Sequence, residues 1–445
     1  MRTYVTTIQI IGFLFWGFTG FVVAEAAQAP KNNPSSIDAE HDRGVQLGRE
    51  GKYQQGLAIL RKILDKHPNN YPVRRDYVVI ASWGGECDLA LENYQKIKNA
   101  RQQEGYLLAA VADCLDEQNR PEQAIALLEK GAKQSPDDED IKQKLDELKK
   151  EYALNTARTL TVSLSNNNSD QGNQEWLFET RYSQQVYKDT RAYARFLAAR
   201  ANDPKFATGD LNRLGIGVIH HLNYQLSFDV EVSTDVKSSG EEGITGTVLY
   251  QPYYLWELGA QHASYAEDLP LRAKAADISS DRTSLFASYH SKDYRLEWSA
   301  NASQYSFSDD NTRKSFSTTG GYAYFLKPSL EHHLIVDLYR STNTLPSTSV
   351  VYFNPSRDTA INLTHKTNLV YNSRFKRHVD SFFVYLGSYW QQNYDRKLVY
   401  GLGLQQEYNF TDTAYFSWGA SYNSRVYDGN REREIGVFAT YVQKF

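Results

Sequence analysis

The chain has 445 residues, with 49 lysines and arginines against 53 aspartates and glutamates and a formal net charge of −4. That length leaves room for more than one domain, and the near-neutral balance carries no basic footprint for nucleic acid. The mean hydropathy is polar, yet Tyr, Phe and Trp number 32, 20 and 7. This pairing suits a barrel whose lipid-facing residues alternate with a wet lumen, although composition alone leaves a large soluble all-β protein open.

Met1-Arg2 supplies a positive end, residues from Ile8 to Val23 form an apolar run, and Ala24-Glu25-Ala26 offers the small-x-small pattern of a cleavage site. Residues 1–26 therefore read as a signal peptide, and a retained anchor is the alternative because the run approaches spanning length. No later stretch resembles a spanning helix, so a mature protein that lives in a membrane crosses it as strands. Cys87 and Cys114 would then meet an oxidising periplasm, where a disulfide is allowed and two buried free thiols are equally compatible.

Residues 27–36 read as a short polar linker with two prolines, and from there to residue 155 the period is helical. Gly56, Ala90 and Ala124 are spaced by 34 residues, Leu60, Tyr94 and Leu128 keep the register four residues later, and Pro68 and Pro136 close two of the units. This is the tetratricopeptide period, with small residues where paired helices touch. A plain helical bundle is the alternative. Asp137 to Tyr152 carries Ile141, Leu145 and Leu148 at helical spacing, which fits a terminal cap or a stiff arm leading to the next domain.

Over residues 156–445 the period becomes two. About sixteen strands are predicted, with centres near Val162, Phe178, Ala194, Gly217, Val230, Thr247, Glu257, Phe286, Glu297, Tyr322, Val336, Asn362, Val384, Gly403, Trp418 and Phe438. The connections are expected to alternate between long and short, as in outer-membrane barrels. Long ones are predicted over Ser165 to Gln174, Ala201 to Asp210, Thr234 to Gly243, Ser264 to Asp281, Tyr305 to Lys314 and Ser341 to Ser356. Short ones include His221-Leu222-Asn223 and Phe410-Thr411-Asp412. Ser264 to Asp281 is long enough either to fold inward as a constriction or to stand in solvent. The last hairpin, Thr413 to Phe445, places Phe416, Trp418, Ala420 and Tyr422 on one face, and Gln443 stands where an assembly signal would carry an apolar group. The fold class is thus α+β multidomain: an N-terminal α-solenoid of tetratricopeptide-like repeats, then a transmembrane antiparallel β-barrel.

No nucleophile motif, metal-spaced His or Cys set or phosphate-cradling loop emerges, so neither enzyme activity nor a cofactor or metal is expected. His220-His221 and His332-His333 read as surface or girdle histidines. The polar strand face carries Asp229, Glu231, Glu257, Glu297, Asp337 and Glu407. A lumen lined by these carboxylates would favour cationic or hydrogen-bonding cargo. The alternative is that arginines such as Arg295 and Arg340 neutralise them.

Three C-terminal stretches carry a resemblance: Val351-Tyr352-Phe353-Asn354-Pro355-Ser356-Arg357-Asp358, Gly387-Ser388-Tyr389-Trp390-Gln391, and Val426-Tyr427-Asp428-Gly429-Asn430-Arg431-Glu432. Together with the order of parts they resemble the poly-N-acetylglucosamine export porin family. On that resemblance Tyr352, Asn354, Pro355, Arg357, Asp358, Tyr427, Asp428, Gly429 and Arg431 are expected in outer loops. The resemblance implies export of a partly de-N-acetylated poly-β-1,6-N-acetyl-D-glucosamine through the outer membrane for biofilm matrix. It also implies a periplasmic repeat domain that holds a polysaccharide deacetylase. The other readings are an exporter of another exopolysaccharide such as cellulose, which needs no acidic pore, and an outer-membrane receptor barrel.

Overall fold

A computed structural model describes residues 36–97, 104–204, 208–236, 241–253, 255–371 and 377–445. The segments read as leader and linker lie outside the described residues, save Ser36. The chain divides into two compact units, with the boundary in the sequence after Asn155.

The first unit holds seven helices among the described residues: α1 (Ser36–Arg49), α2 (Tyr53–Lys66), α3 (Tyr71–Trp83), α4 (Cys87–Gln95), α5 (Gly105–Glu117), α6 (Pro121–Gln134) and α7 (Glu139–Thr156). The openings of α2, α4 and α6 are spaced by 34 residues, and so are those of α3, α5 and α7. These helical repeats build a solenoid. Local chemistry sets the boundaries: the Asn70 side chain accepts the Val73 amide 3.3 Å away and Pro72 stands in the first turn of α3. Such a cap satisfies a donor that the helix itself cannot.

Small residues mark the closest approaches. A Cβ at Gly56 would stand 2.7 Å from the Gly44 carbonyl oxygen on α1, and Ala90 and Ala124 are fully buried. Val73, Leu107 and Ile141, also 34 residues apart, fill one continuous core. Thus α7 repeats the register of α3 and α5 and packs as the first half of a fourth pair, with Ile141, Leu145 and Leu148 inward. Of the alternatives open for the cysteines, the structure takes the bridge: a disulfide joins Cys87 of α4 to Cys114 of α5.

The second unit is a closed barrel in which every strand pairs with its neighbours in sequence and β1 closes on β16. Its antiparallel strands are β1 (Thr159–Ser169), β2 (Gln174–Tyr187), β3 (Thr190–Asn202), β4 (Thr208–His221), β5 (Leu226–Asp235), β6 (Glu242–Tyr253), β7 (Trp256–Ala263), β8 (Ser280–His290), β9 (Leu296–Phe307), β10 (Thr312–Lys327), β11 (Leu330–Asn343), β12 (Arg357–Tyr371), β13 (Arg377–Gln391), β14 (Lys397–Asn409), β15 (Ala414–Tyr427) and β16 (Asn430–Lys444). A short helix, α8 (Leu271–Ala275), lies between β7 and β8. Closure leaves no edge strand, which is what a lipid environment demands of a sheet.

Alternation is strict enough to separate two faces. On β4 Leu214, Ile216 and Val218 are exposed, whereas Leu211, Arg213, Gly215 and Gly217 on the opposite parity are buried. The same outward apolar set recurs as Phe382, Val384 and Leu386 on β13 and as Ile435 and Val437 on β16. An apolar belt of this extent belongs in lipid. At the short-turn end, ring contacts run around the wall: Trp256 lies 4.7 Å from Tyr289, and His378 stacks 4.3 Å from Tyr408. His332 stacks 5.8 Å from Tyr324 in this girdle, while His333 turns the other way to Glu331.

Two expected long connections are short. Only residues 170–173 join β1 to β2 and only residues 308–311 join β9 to β10. The strands continue past the bilayer edge, where both faces are wet and the apolar alternation that reveals a strand disappears. The final turn is also tighter than expected, because Asp428 and Gly429 both hold positive φ angles, 47° and 74°. That geometry gives a two-residue hairpin turn and leaves Asn430, Arg431 and Glu432 in β16.

Candidate functional site in the barrel lumen

The inward set follows from parity. Asp229 and Glu231 share the face of Ser233 and Asp235 on β5, opposite the exposed Val230 and Val232. By the same alternation Glu257, Glu297, Asp337 and Glu407 lie on the inner sets of β7, β9, β11 and β14, between outward residues such as Leu258, Trp298, Leu338 and Leu402. The six acids are spread over five strands, so they form no single cluster.

They divide by partner. The Tyr193 hydroxyl donates to Asp229 at 2.8 Å, and Arg181 lies 3.9 Å from the same carboxylate while stacking 3.7 Å over the Tyr193 ring. Glu231 is buried and takes both a 3.0 Å bond from Arg195 Nε and a second from Nη2. Asp337 accepts from Thr319 Oγ1 at 2.7 Å, and Glu407 from Gln405 Nε2 at 2.7 Å. Among the described residues, Glu257, Glu297, Asp337 and Glu407 have no lysine or arginine within ion-pair distance. Arg295 and Arg340 are not the neutralising cations. Arg295 lies 3.6 Å from Asp293 in a turn, and Arg340 is exposed on the outer face.

The connection between β7 and β8 folds inward. Tyr265, Ala266, Leu269, Leu271 and Ala273 are all buried. Leu271 of α8 and Tyr265 pack with Leu197, Ala199 and Leu211, which are inner-face residues of β3 and β4. Glycine permits this approach, since a Cβ at Gly209 would stand 1.9 Å from the Leu271 carbonyl oxygen.

Charges fasten the segment. Glu267 accepts from Arg195 Nη1 at 2.8 Å and lies 3.7 Å from Nε of Arg213, a side chain with 0% exposure. Arg213 donates in turn to the Glu241 carbonyl and the Ser233 hydroxyl, each at 2.7 Å, and stacks 4.0 Å over Tyr265. Asp268 pairs with Arg282 at 2.9 Å. Burial alone would lower the Lys274 ammonium, but its bonds to Glu241 and Tyr265 raise it, so this latch stays charged. The segment thereby narrows the lumen with an apolar body on charged feet.

The stretches expected in outer loops serve as mortar for a second covering segment, residues 344–356. Tyr352 is buried, stacks 5.1 Å from Phe307 and donates to Asp309 at 3.1 Å. Asn311 donates to Asn354 Oδ1 at 2.9 Å, and the Pro355 carbonyl accepts from Asn343 at 2.7 Å. Tyr352 and Phe307 share a small core with Ala266, Leu269 and Ala273, so the two long connections pack on each other.

Arg357 and Asp358 are not in the loop but open β12. Asp358 faces inward and accepts from Tyr389 at 2.9 Å, whereas Arg357 is exposed outside. Tyr427 meets Phe353 edge to face at 5.2 Å, and Asp428 accepts from Gln391 at 2.8 Å. Arg431 donates to the Leu398 carbonyl at 3.0 Å and sits 5.4 Å over Tyr400.

Sequence reasoning missed Arg195, Arg213, Glu267, Asp268 and Arg282. The signal was present, because Arg181, Arg195, Arg213 and Arg282 fall on the same inner parity as the acids. Glu267-Asp268 also flanks an apolar Leu-Pro-Leu step in a connection too long for a bare turn.

Residues 152–442 match the family model described as the PgaA membrane beta barrel domain. The poly-beta-1,6-N-acetyl-D-glucosamine export protein of Escherichia coli (strain K12) is 24% identical over 186 residues, which cover 41% of this chain and 22% of that protein. The protein of the same name in Escherichia coli O157:H7 matches to the same extent. The match thus spans about a fifth of the length of these curated relatives. Among solved structures, a bacterial polysaccharide outer membrane secretin superposes with a TM-score of 0.59 at 20% identity, covering 65% of this chain and 99% of that one, and shares the fold. Since the matched residues make up more than half of its length, this chain belongs to the PgaA membrane beta barrel domain family.

Proposed function

We propose that this chain is an outer-membrane porin that exports poly-β-1,6-N-acetyl-D-glucosamine, partly de-N-acetylated, into the biofilm matrix. Membership of the barrel family carries the reading, together with the polysaccharide export for which the matching relatives are named. The barrel stands in the outer membrane and the repeat unit is periplasmic.

In this reading the lumen is a path for a hydrated chain that bears occasional ammonium groups. Among the described residues Glu257, Glu297, Asp337 and Glu407 have no basic partner, so their charge is available to a passing amine. The paired Asp229 and Glu231 instead hold Tyr193, Arg181 and Arg195 in place. No step breaks a bond. The wall raises the local concentration of a cationic polymer and offers exchangeable hydrogen bonds, each weak enough to release it. The periplasmic repeat unit would recruit the deacetylase that supplies the amines.

The reading is tested by deleting the gene in a strain with an active synthase and measuring secreted and periplasmic hexosamine polymer. Periplasmic polymer should accumulate and secretion should fall. Unchanged secretion would rule out export, and loss of a polymer that cellulase digests would favour the cellulose alternative.

A further inference from the structure

The outer wall carries a feature that transport does not use. Lys314 on β10, Arg340 on β11 and Arg357 on β12 share the outward parity of Phe316, Leu338 and Ile361, and all three are exposed. In the ladder Lys314 and Arg357 both pair with Thr342, while Arg340 pairs with Phe316 and Thr359. Adjacent strands lie about 4.8 Å apart and a two-residue step rises about 7 Å, so the three positions fall within about 10 Å of one another.

Among the described residues none of the three has an acidic partner. Asp337 and Asp358 on the same strands face the lumen, and Asp309 in the nearby turn is taken by Tyr352 and the Asn311 amide. The contrast lies on the same outer face, where Arg200 of β3 has Asp210 at 3.6 Å. Three like charges this close repel unless an anion of more than one charge joins them.

Depth identifies that anion. The cluster sits at the ends of the strands that bear the long 264–279 and 344–356 connections, which is the extracellular side of such a barrel. Arg340 stands at the outer margin of the apolar belt, level with Phe316 and, through Thr359, with Trp390, and Lys314 and Arg357 lie one two-residue step further out, level with Thr342. Aromatic residues mark the headgroup zone of a bilayer. Two guanidinium forks and one ammonium suit phosphate oxygens, which take bidentate and point-charge contacts respectively.

We propose that Lys314, Arg340 and Arg357 form a binding site for the phosphate groups of an anionic glycolipid in the extracellular leaflet. The bound lipid ties the wall of β10, β11 and β12 to the membrane directly beneath the 344–356 segment. This assignment depends on the barrel and its orientation, and it stands or falls separately from the polymer that crosses the lumen.

The test uses the full-length protein in neutral detergent, with lipid retention followed by native mass spectrometry. The probes are a bisphosphorylated acylated glucosamine disaccharide, its dephosphorylated counterpart and inorganic phosphate. Wild type should hold the phosphorylated lipid about a hundredfold more tightly than the dephosphorylated one, at roughly a fivefold gain per cation. K314Q/R340Q/R357Q should lose that preference, R340K/R357K should keep most of it, and R200Q should leave it unchanged. Equal retention of both lipids by wild type, undiminished preference in the triple variant, or displacement by inorganic phosphate at equal concentration would each overturn the site. Heat-dependent electrophoretic mobility reports whether each barrel is folded. If the triple variant fails to fold, R340Q alone carries the test, with about a fivefold loss expected and no loss refuting the site.

Discussion

Glu267 is the carboxylate on which the inward segment turns, because it alone among the acids of that segment contacts two inner-wall arginines. Removing it would leave the fully buried Arg213 with carbonyl, hydroxyl and ring partners but, among the described residues, no carboxylate within ion-pair distance. Breaking a fully buried pair costs about 3 to 5 kcal/mol, and even a part of that is large enough to free a short lumenal segment. Glu267→Ala should therefore raise single-channel conductance in planar bilayers, and a conductance equal to wild type would show that the apolar contacts of Tyr265 and Leu271 suffice. A second residue acts in the repeat unit. Burial, reinforced by the charge of Glu151, pushes the Asp116 carboxyl up to about 6. Between its unfolded value near 4 and that raised value the native state binds more protons than the unfolded chain, so Asp116 weakens the helices increasingly as pH rises through this window. Asp116→Asn should raise the urea midpoint of the helical circular dichroism at pH 7.5 and change it little at pH 4.

At the scale of elements, the disulfide ties the second helix of one pair to the first helix of the next. It closes a loop across a sequence separation of 27. Loop-closure entropy for that length is worth about 3 to 4 kcal/mol, so Cys87→Ser/Cys114→Ser should lower the urea midpoint of the helices while the barrel still runs as a folded species on gels. The short helix α8 is the other sensitive element. Gly209→Val would place a branched side chain where the Leu271 carbonyl now lies, and the helix must leave the wall. Proteolysis within residues 264–279 should then appear in the variant and not in wild type.

These two elements also show what the sequence can and cannot reveal. Each expected strand centre, from Val162 to Phe438, lies within a strand, because lipid on one side and water on the other impose a two-residue period that needs no knowledge of partners. The 34-residue helical period was legible for the same reason, since small residues recur wherever helices touch. The inward fold of 264–279 was open in the sequence, for it depends on Glu267 finding Arg195 across 72 residues and on the space left by Gly209. The loop motifs were visible as strings, but their burial was not. Tyr352 and Asn354 are defined by Asp309 and Asn311 of another connection, which no local pattern couples to them.

For the whole molecule the decisive quantity is the field along the lumen. The inner wall holds two kinds of acid, and they make opposite contributions when removed. Neutralising Asp229 strips a partner from Tyr193 and Arg181, and neutralising Glu231 strips one from Arg195, which also holds Glu267 of the constriction. Neutralising Glu257, Glu297, Asp337 and Glu407 removes charge that no lysine or arginine pairs with among the described residues, and leaves the constriction intact. The quadruple variant E257Q/E297Q/D337N/E407Q should fold, retain its conductance and lose most of its cation selectivity, read as a shift of the reversal potential under a salt gradient. Ionic strength supplies the control. The Debye length is about 10 Å at 0.1 M and about 3 Å at 1 M, so the selectivity of wild type should fade at high salt toward that of the variant. If the proposed cargo is right, the same variant should secrete fully acetylated polymer better than partly deacetylated polymer, because only the amines lose their attraction. Equal loss of both would mean that the acids shape the path by hydrogen bonding and not by charge.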